Sequence, residues 1–207
     1  MAGWPPVTFI ILRVGRGEIM GKIGSFTHVS LDGFFAGPNG EIDWFKSQDE
    51  EDREFAARAS GQSGTLIFGH TTYEMMASYW PTPEAIKADP DVARAMNTTP
   101  KIVFSRTMKP VRDGPVWKNV RIEPEMNRDR ILNMKREADG DFVILGSGSI
   151  VQQFARLGLI DEFQLIVNPI ILGAGKYLFS GVNRMNMELL ETRPFRNGRV
   201  FLKYAPV

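Results

Sequence analysis

The chain has 207 residues, with 25 basic and 24 acidic side chains, a net charge of +1 and no cysteine, which suits one domain with a sizeable core. The near balance of charge, without any Lys/Arg run, leaves no electrostatic footprint for nucleic acid or a membrane surface and favours a small-molecule partner. The lack of cysteine excludes disulfides, thiolate metal sites and Cys nucleophiles, and fits a reducing compartment, the cytoplasm.

The leader "MAGWPPVTFIILRVGRGEIM" holds one short apolar piece, Val7 to Leu12. That is far below the roughly 20 residues of a bilayer span, and it lacks the positive lead and cleavage pattern of a signal peptide. A clean strand pattern begins directly after Met20, and Gly17 and Glu18 require purine-rich codons of the ribosome-binding type just upstream. Met20 is therefore expected to be the natural start, with 1–20 an extension and 21–207 a single domain.

Ile23 to Ser30 reads as a strand. In the loop that follows, Asp32 beside Gly33 is expected to cap its own backbone in a turn. The turn Gly37-Pro38-Asn39-Gly40 then sets Asp43 next to Trp44 and Phe45. A carboxyl beside two rings able to cover a flat substrate is a candidate for a proton step, especially if burial raises its pKa. Ser47 and Glu50 form a capping box that opens a helix running to about Ala59.

Thr65 to Phe68 is the next strand; it ends at Gly69, where Thr71 and Thr72 are able to cap the following helix, Thr72 to Ser78, or to donate to a phosphate. "YWPTPEAIKADP" reads as a surface loop leading into a short helix, Pro90 to Met96. The strand Ile102 to Phe104 ends in Ser105, Arg106 and Thr107. A bidentate cation with hydroxyl donors is what a ribose 2'-phosphate requires.

Val120 to Ile122 is a strand, Arg128 to Ala138 a helix and Phe142 to Leu145 another strand. The turn Gly146, Ser147, Gly148, Ser149 leaves backbone N–H groups uncovered. It begins the dinucleotide fingerprint G-x-G-x-x-G, but Val151 stands where the third glycine belongs, and the chain some 20 positions on reads Ile166, Val167, Asn168 with no acid. Ile150, Phe154 and Leu157 form an apolar stripe ending at Gly158. Glu162 to Val167 is a strand, and Met187 to Glu191 with Arg199 to Tyr204 reads as a hairpin turning at Asn197-Gly198.

This alternation predicts an α/β fold, a mostly parallel central sheet with helices on both faces and an antiparallel edge hairpin at the C-terminus. In such sheets ligands collect at the carboxyl ends of the strands, near helix N-termini. The only histidines, His28 and His70, lie on different elements without clustered carboxylates, so no metal site is expected.

Five stretches in order resemble the dihydrofolate reductase superfamily, in particular its bacterial branch, the reductase domain of riboflavin biosynthesis: "THVSLDGFFAGPNGEIDWF", "FGHTTYEMM", "FSRT", "LGSGSIVQQF" and "VNPIILGAGKYLF". The resemblance covers nearly everything from Gly21 to Tyr204. It implies NADPH across the carboxyl edge of the sheet and hydride transfer to a small conjugated substrate. Carried onto this chain, it implies pyrophosphate contacts from Gly69, Thr71 and Thr72, 2'-phosphate contacts from Ser105 and Arg106, and contacts to pyrophosphate and ribose from Gly146, Ser147, Gly148, Ser149 and Ile150. Ser30 and the loop to Gly37, including Phe35, would flank the nicotinamide and substrate, with Trp44 and Phe45 beside Asp43. His70 stands where the family has Arg, and Ser147 where it has Gly. The zinc signature of the nucleotide deaminases, H-x-E with P-C-x-x-C, is absent from these 207 residues, so the bifunctional riboflavin enzyme is not expected.

Two further readings stand beside the reductase: a non-catalytic NADP(H)-binding or sensor protein on the same fold, and a Rossmann-type enzyme, disfavoured by Val151 and the missing acid. The resemblance also implies a homodimer. A chain begun at Met20 is expected to unfold at the same temperature as the full chain and to keep its ligand affinity; loss of either makes the leader part of the domain.

Overall fold

The computed structural model describes residues 20–45, 51, 55, 64–109 and 114–207. The capping box Ser47/Glu50 and most of the helix expected to follow it lie outside these; within that stretch Glu51 and Phe55 are helical.

Ten strands are described: β1 Ile23–Ser30, β2 Phe34–Ala36, β3 Thr65–Gly69, β4 Lys101–Phe104, β5 Val120–Glu123, β6 Phe142–Leu145, β7 Glu162–Asn168, β8 Lys176–Tyr177, β9 Met187–Pro194 and β10 Val200–Pro206. Besides the helical residues Glu51 and Phe55, five α-helices are described in full: α1 His70–Tyr79, α2 Pro83–Ala88, α3 Pro90–Thr98, α4 Arg128–Glu137 and α5 Gly148–Arg156.

Eight strands form one sheet in the order β5-β4-β3-β6-β1-β7-β10-β9. The pairs from β5 to β7 are parallel, and β10 runs antiparallel to both its neighbours. The fold is thus the α/β arrangement expected, with a parallel centre and an antiparallel C-terminal edge. β1 is the axis: Ile23 to Phe26 pair with Phe142 to Leu145 on one side, and Gly24 to Ser30 pair with Glu162 to Asn168 on the other.

Alternation along the strands sends side chains to two cores. Ile67, Ile102, Phe104 and Ile144 meet Ile131 of α4 and Ile150, Val151 and Phe154 of α5. On the opposite face Leu66, Phe68 and Val103 meet Tyr73 of α1 and Val92 and Met96 of α3. Phe26, Ile166 and Phe201 continue that second face against Phe55 and Phe195.

Three elements were not legible in the sequence. α2 falls inside the stretch expected to be a surface loop; Thr82 caps it by accepting from Ala85 N, and Pro83 starts it. β2 and β8, of three and two residues, pair with each other outside the main sheet, and runs that short carry no period. α1 also begins two residues earlier than expected, so Thr71 and Thr72 lie inside the helix, and neither is its N-cap.

Charges lock the sheet at its amino edge. Glu162 takes Lys22 Nζ at 2.9 Å and Lys203 Nζ at 2.7 Å. Burial works against its charge, but hydrogen bonds from Lys203 and then Lys22 outweigh that and hold its carboxyl below the ordinary value of 4.5. A lowered carboxyl pKa adds stability that is complete above the unfolded value and lost as the pH falls through the folded one. Glu162→Gln is therefore expected to lower unfolding stability at pH 7 by about 1 kcal/mol, with the gap to wild type closing below about pH 4 in denaturant titrations.

Candidate functional site

The carboxyl ends of β1, β3, β4, β6 and β7 open on one edge, and the turns leaving them carry most of the expected site residues. The turn after β6 bends sharply at Gly146, whose φ of +62° lies in the left-handed region, where a side chain is strained. Gly146 N donates to Phe26 O at 3.0 Å, keeping the turn against β1. Ser147, 3% exposed, comes next. Its Oγ accepts from Gly69 N at 3.1 Å and donates to Leu145 O at 3.3 Å. The ends of β3 and β6 are welded together through this one hydroxyl.

The weld joins two helix starts. Gly69 precedes α1 and Ser147 precedes α5, and neither residue's side chain caps its helix. By contrast, Thr82 and Asn127 cap α2 and α4 with their side chains. The first-turn N–H groups of α1 and those of Gly148 and Ser149 on α5, with the positive ends of both helix dipoles, are therefore left for an anion. Thr71 and Ser149 are exposed and Thr72 half-buried, so their hydroxyls add donors. This is a donor set that fits a pyrophosphate.

The other expected residues divide into those that can reach a ligand and those that build the site. Ser30 is buried, and its Oγ accepts from Phe34 N at 3.0 Å. Ser105 Oγ accepts from Thr107 N and Met108 N at 3.3 and 3.1 Å, closing its own turn. Ile150 is 3% exposed in the core and its N–H bonds to Ser147 O, leaving it nothing to offer a ligand. Arg106, in contrast, is exposed and has no hydrogen-bond or ion-pair partner among the described residues. His70, at the position of the family's Arg, lies 3.0 Å from Glu74.

Asp43 opens a short 3-10 turn, Asp43–Phe45, and is exposed. The buried acid considered there is not formed: the carboxyl is exposed, while the two rings are half-buried. Trp44 Nε1 donates to Glu41 O at 3.2 Å, and Phe45 stacks on His28 with ring centroids 4.5 Å apart, its carbonyl accepting from Arg199 at 2.7 Å. The structure does not bring Phe35 to this pair. Phe35 packs with the core of α4 and α5, whereas His28 alternates to the opposite face of β1. Phe45 and Phe35 thus lie on opposite sides of β1.

Asp32 does more than cap its own turn. Its carboxylate accepts from Leu172 N at 3.2 Å and Gly173 N at 2.8 Å, fastening the loop after β1 to the loop after β7. The Ser30 hydroxyl first, then these amides, hold its carboxyl below the ordinary aspartate range. A partner 140 residues away leaves no trace in local sequence. Asn168 was likewise missed: buried at the end of β7, it donates to Val29 O and Ile166 O, both at 3.0 Å. A polar residue ending an apolar strand run, just before Pro169, was the available signal.

Glu123, at the end of β5, is buried and paired with Arg121 and Arg130, and its carbonyl accepts from Ser105 N at 3.0 Å. It holds the 2'-phosphate candidate turn in place. Among the described residues no group of three or more His, Asp or Glu is set to hold a metal ion, and no helix is long and apolar enough to cross a membrane.

The model of the RibD C-terminal domain matches residues 22–201. The chain belongs to that family. It is 32% identical over 178 residues to the uncharacterized protein YyaP of Bacillus subtilis (strain 168), covering 85% of this chain and 90% of YyaP. Its fold is similar to that of a putative riboflavin biosynthesis protein from Shewanella sp. PV-4, at 23% identity and a TM-score of 0.70 over 90% of this chain and 99% of that one. It is also similar to a dihydrofolate reductase from Enterococcus faecalis complexed with NADP(H), at 17% identity and a TM-score of 0.58 over 91% and 98%. The fold is dihydrofolate reductase-like, and at the level of the family this is a reductase-like chain.

Ser147→Ala strips the buried Gly69 N–H of its acceptor, an expected loss of about 1–3 kcal/mol in chemical unfolding. Ser149→Ala, at an exposed hydroxyl, should leave stability within about 0.5 kcal/mol of wild type.

Proposed function

We propose that the chain is an NADPH-dependent reductase that passes a hydride to a small conjugated substrate of pterin-like or pyrimidine-like kind, acting as a cytoplasmic homodimer. The observation that carries this reading is the pair of uncapped helix starts, α1 and α5, joined through Ser147 at one edge of a parallel sheet. Membership of the RibD C-terminal domain family supports it.

In this reading the first-turn amides of α1 and α5, with Gly69, Thr71, Thr72, Gly146, Gly148 and Ser149, hold the pyrophosphate. Arg106 takes the 2'-phosphate beside the turn closed by Ser105. Because His70 faces Glu74 rather than standing as a second fixed cation, the preference for NADPH over NADH rests on Arg106. When bound, the cofactor supplies the hydride. The chain's own work is to orient the two rings, exclude water and provide a proton. Trp44 and Phe45 form the aromatic side of the substrate site. Asp43, exposed beside them, holds a donor group of the substrate or a water that carries the proton.

The test is NADPH and NADH oxidation over a panel of conjugated, hydride-accepting pterin-like and pyrimidine-like compounds, with direct cofactor titration by fluorescence. Arg106→Ala is expected to weaken NADPH about tenfold while leaving NADH nearly unchanged. Asp43→Asn should lower turnover with NADPH affinity intact. Tight NADPH binding without oxidation of any panel member assigns the chain to the non-catalytic reading, and no binding of either nucleotide ends both.

A further inference from the structure

The loops after β1 and β7 form one flap. Asp32 ties them together through Leu172 N and Gly173 N, and Leu31 N donates to Ile170 O at 2.8 Å. β2 pairs with β8, and Leu178 N donates to Gly33 O at 3.2 Å. The Phe34 ring stacks on Tyr177 with centroids 4.1 Å apart.

The flap is in turn gripped by α5. Gln152 Nε2 donates to Tyr177 O at 2.9 Å, and Arg156 donates to Ser180 O and Gly181 O, both at 2.8 Å. These three bonds come from the outer side of the helix whose first turn forms the anion cradle.

A fourth contact lies at the cradle itself. Gly148, the first residue of α5, is buried, and a β-carbon there would fall inside the van der Waals radii of three ring carbons of Phe35: Cδ1, Cε1 and Cζ. The ring from β2 therefore occupies the space that a side chain at position 148 would need. Overpacking a contact this tight forces the backbone or the ring to move. The glycine needs no positive φ here; what excludes a side chain is the flap.

We infer that Phe35 is a positioning residue that joins the flap to the cofactor cradle, so that loading the N-terminus of α5 fixes the flap, which in the reductase reading flanks the nicotinamide. This rests on the reductase reading. A phosphate group seated on the first turn of α5 cannot shift Gly148 without shifting the Phe35 ring, and β2, β8 and the loops held by Asp32 follow it. Phe35 thus acts through Gly148, and the substrate-facing aromatics Trp44 and Phe45 lie on the other side of β1.

The experiment is a double-mutant cycle in the full chain, read by NADPH titration, steady-state kinetics and amide exchange at Phe34 and Leu178. Gly148→Ala is expected to weaken NADPH about tenfold or more through the collision with Phe35. Phe35→Ala in the same chain should recover most of that loss, because it removes the obstructing ring. Phe35→Ala alone should lower kcat more than it raises the KM for NADPH, with Phe35→Leu intermediate. NADPH should slow exchange at Phe34 and Leu178 in wild type but not in Phe35→Ala. Melting curves identify any variant that fails to fold, in which case Phe35→Leu with Gly148→Ala takes the place of the full truncation in the cycle. Additive effects on affinity, or equal NADPH protection of the flap with and without the ring, overturn the inference while leaving the reductase reading standing. A wild type that binds no nicotinamide nucleotide overturns both.

Discussion

β1 hydrogen-bonds along both sides, to β6 and to β7, in parallel, and everything else in the molecule depends on that. Parallel pairing puts the carboxyl ends of the strands from β5 to β7 at one edge, so the turns that leave the centre of the sheet start there. Backbone groups at that edge lose their ladder partners at once and must be satisfied by whatever the turns carry. The turns carry serines, and this explains why Ser30, Ser105 and Ser147 spend their hydroxyls on neighbouring backbone. The site is built by its small polar residues and left open at its uncapped helices.

That division separates what the sequence revealed from what it concealed. β1, β3, β6 and β7 were legible because apolar runs bounded by Gly or Ser mark buried parallel strands. The three strand-end turns were legible because glycines and hydroxyls at those places have few other uses. A serine that contacts a ligand and one that satisfies a buried amide look identical in sequence, so Ser147 was read as a phosphate donor when its hydroxyl is committed to Gly69 and Leu145. Asp43 shows the converse: its burial could not be read from its place before Trp44 and Phe45, and in the 3-10 turn the two rings are half-buried while the carboxyl is exposed.

Long-range ties account for the remaining surprises. Asp32 finds its partners across the molecule at Leu172 and Gly173, and Asn168 finds Val29 O 139 residues away. The β2–β8 ladder is too short to have a period, yet it decides where Phe35 goes and hence why Gly148 must be glycine. Neighbours of this kind are set by topology, and propensity or periodicity has no access to them.

The place of β10 has a consequence for how the sheet closes. Its residues, Val200–Pro206, follow every other described strand in the chain, yet the strand lies inside the sheet, between β7 and β9. β1 has partners that lie more than a hundred residues downstream. The sheet therefore cannot be completed from its earlier strands alone: β7 keeps an open, sticky flank until β10 docks. Such high contact order implies slow closure and a period of exposure to aggregation. It makes the docking of β10, rather than any local helix formation, the step that closes the sheet.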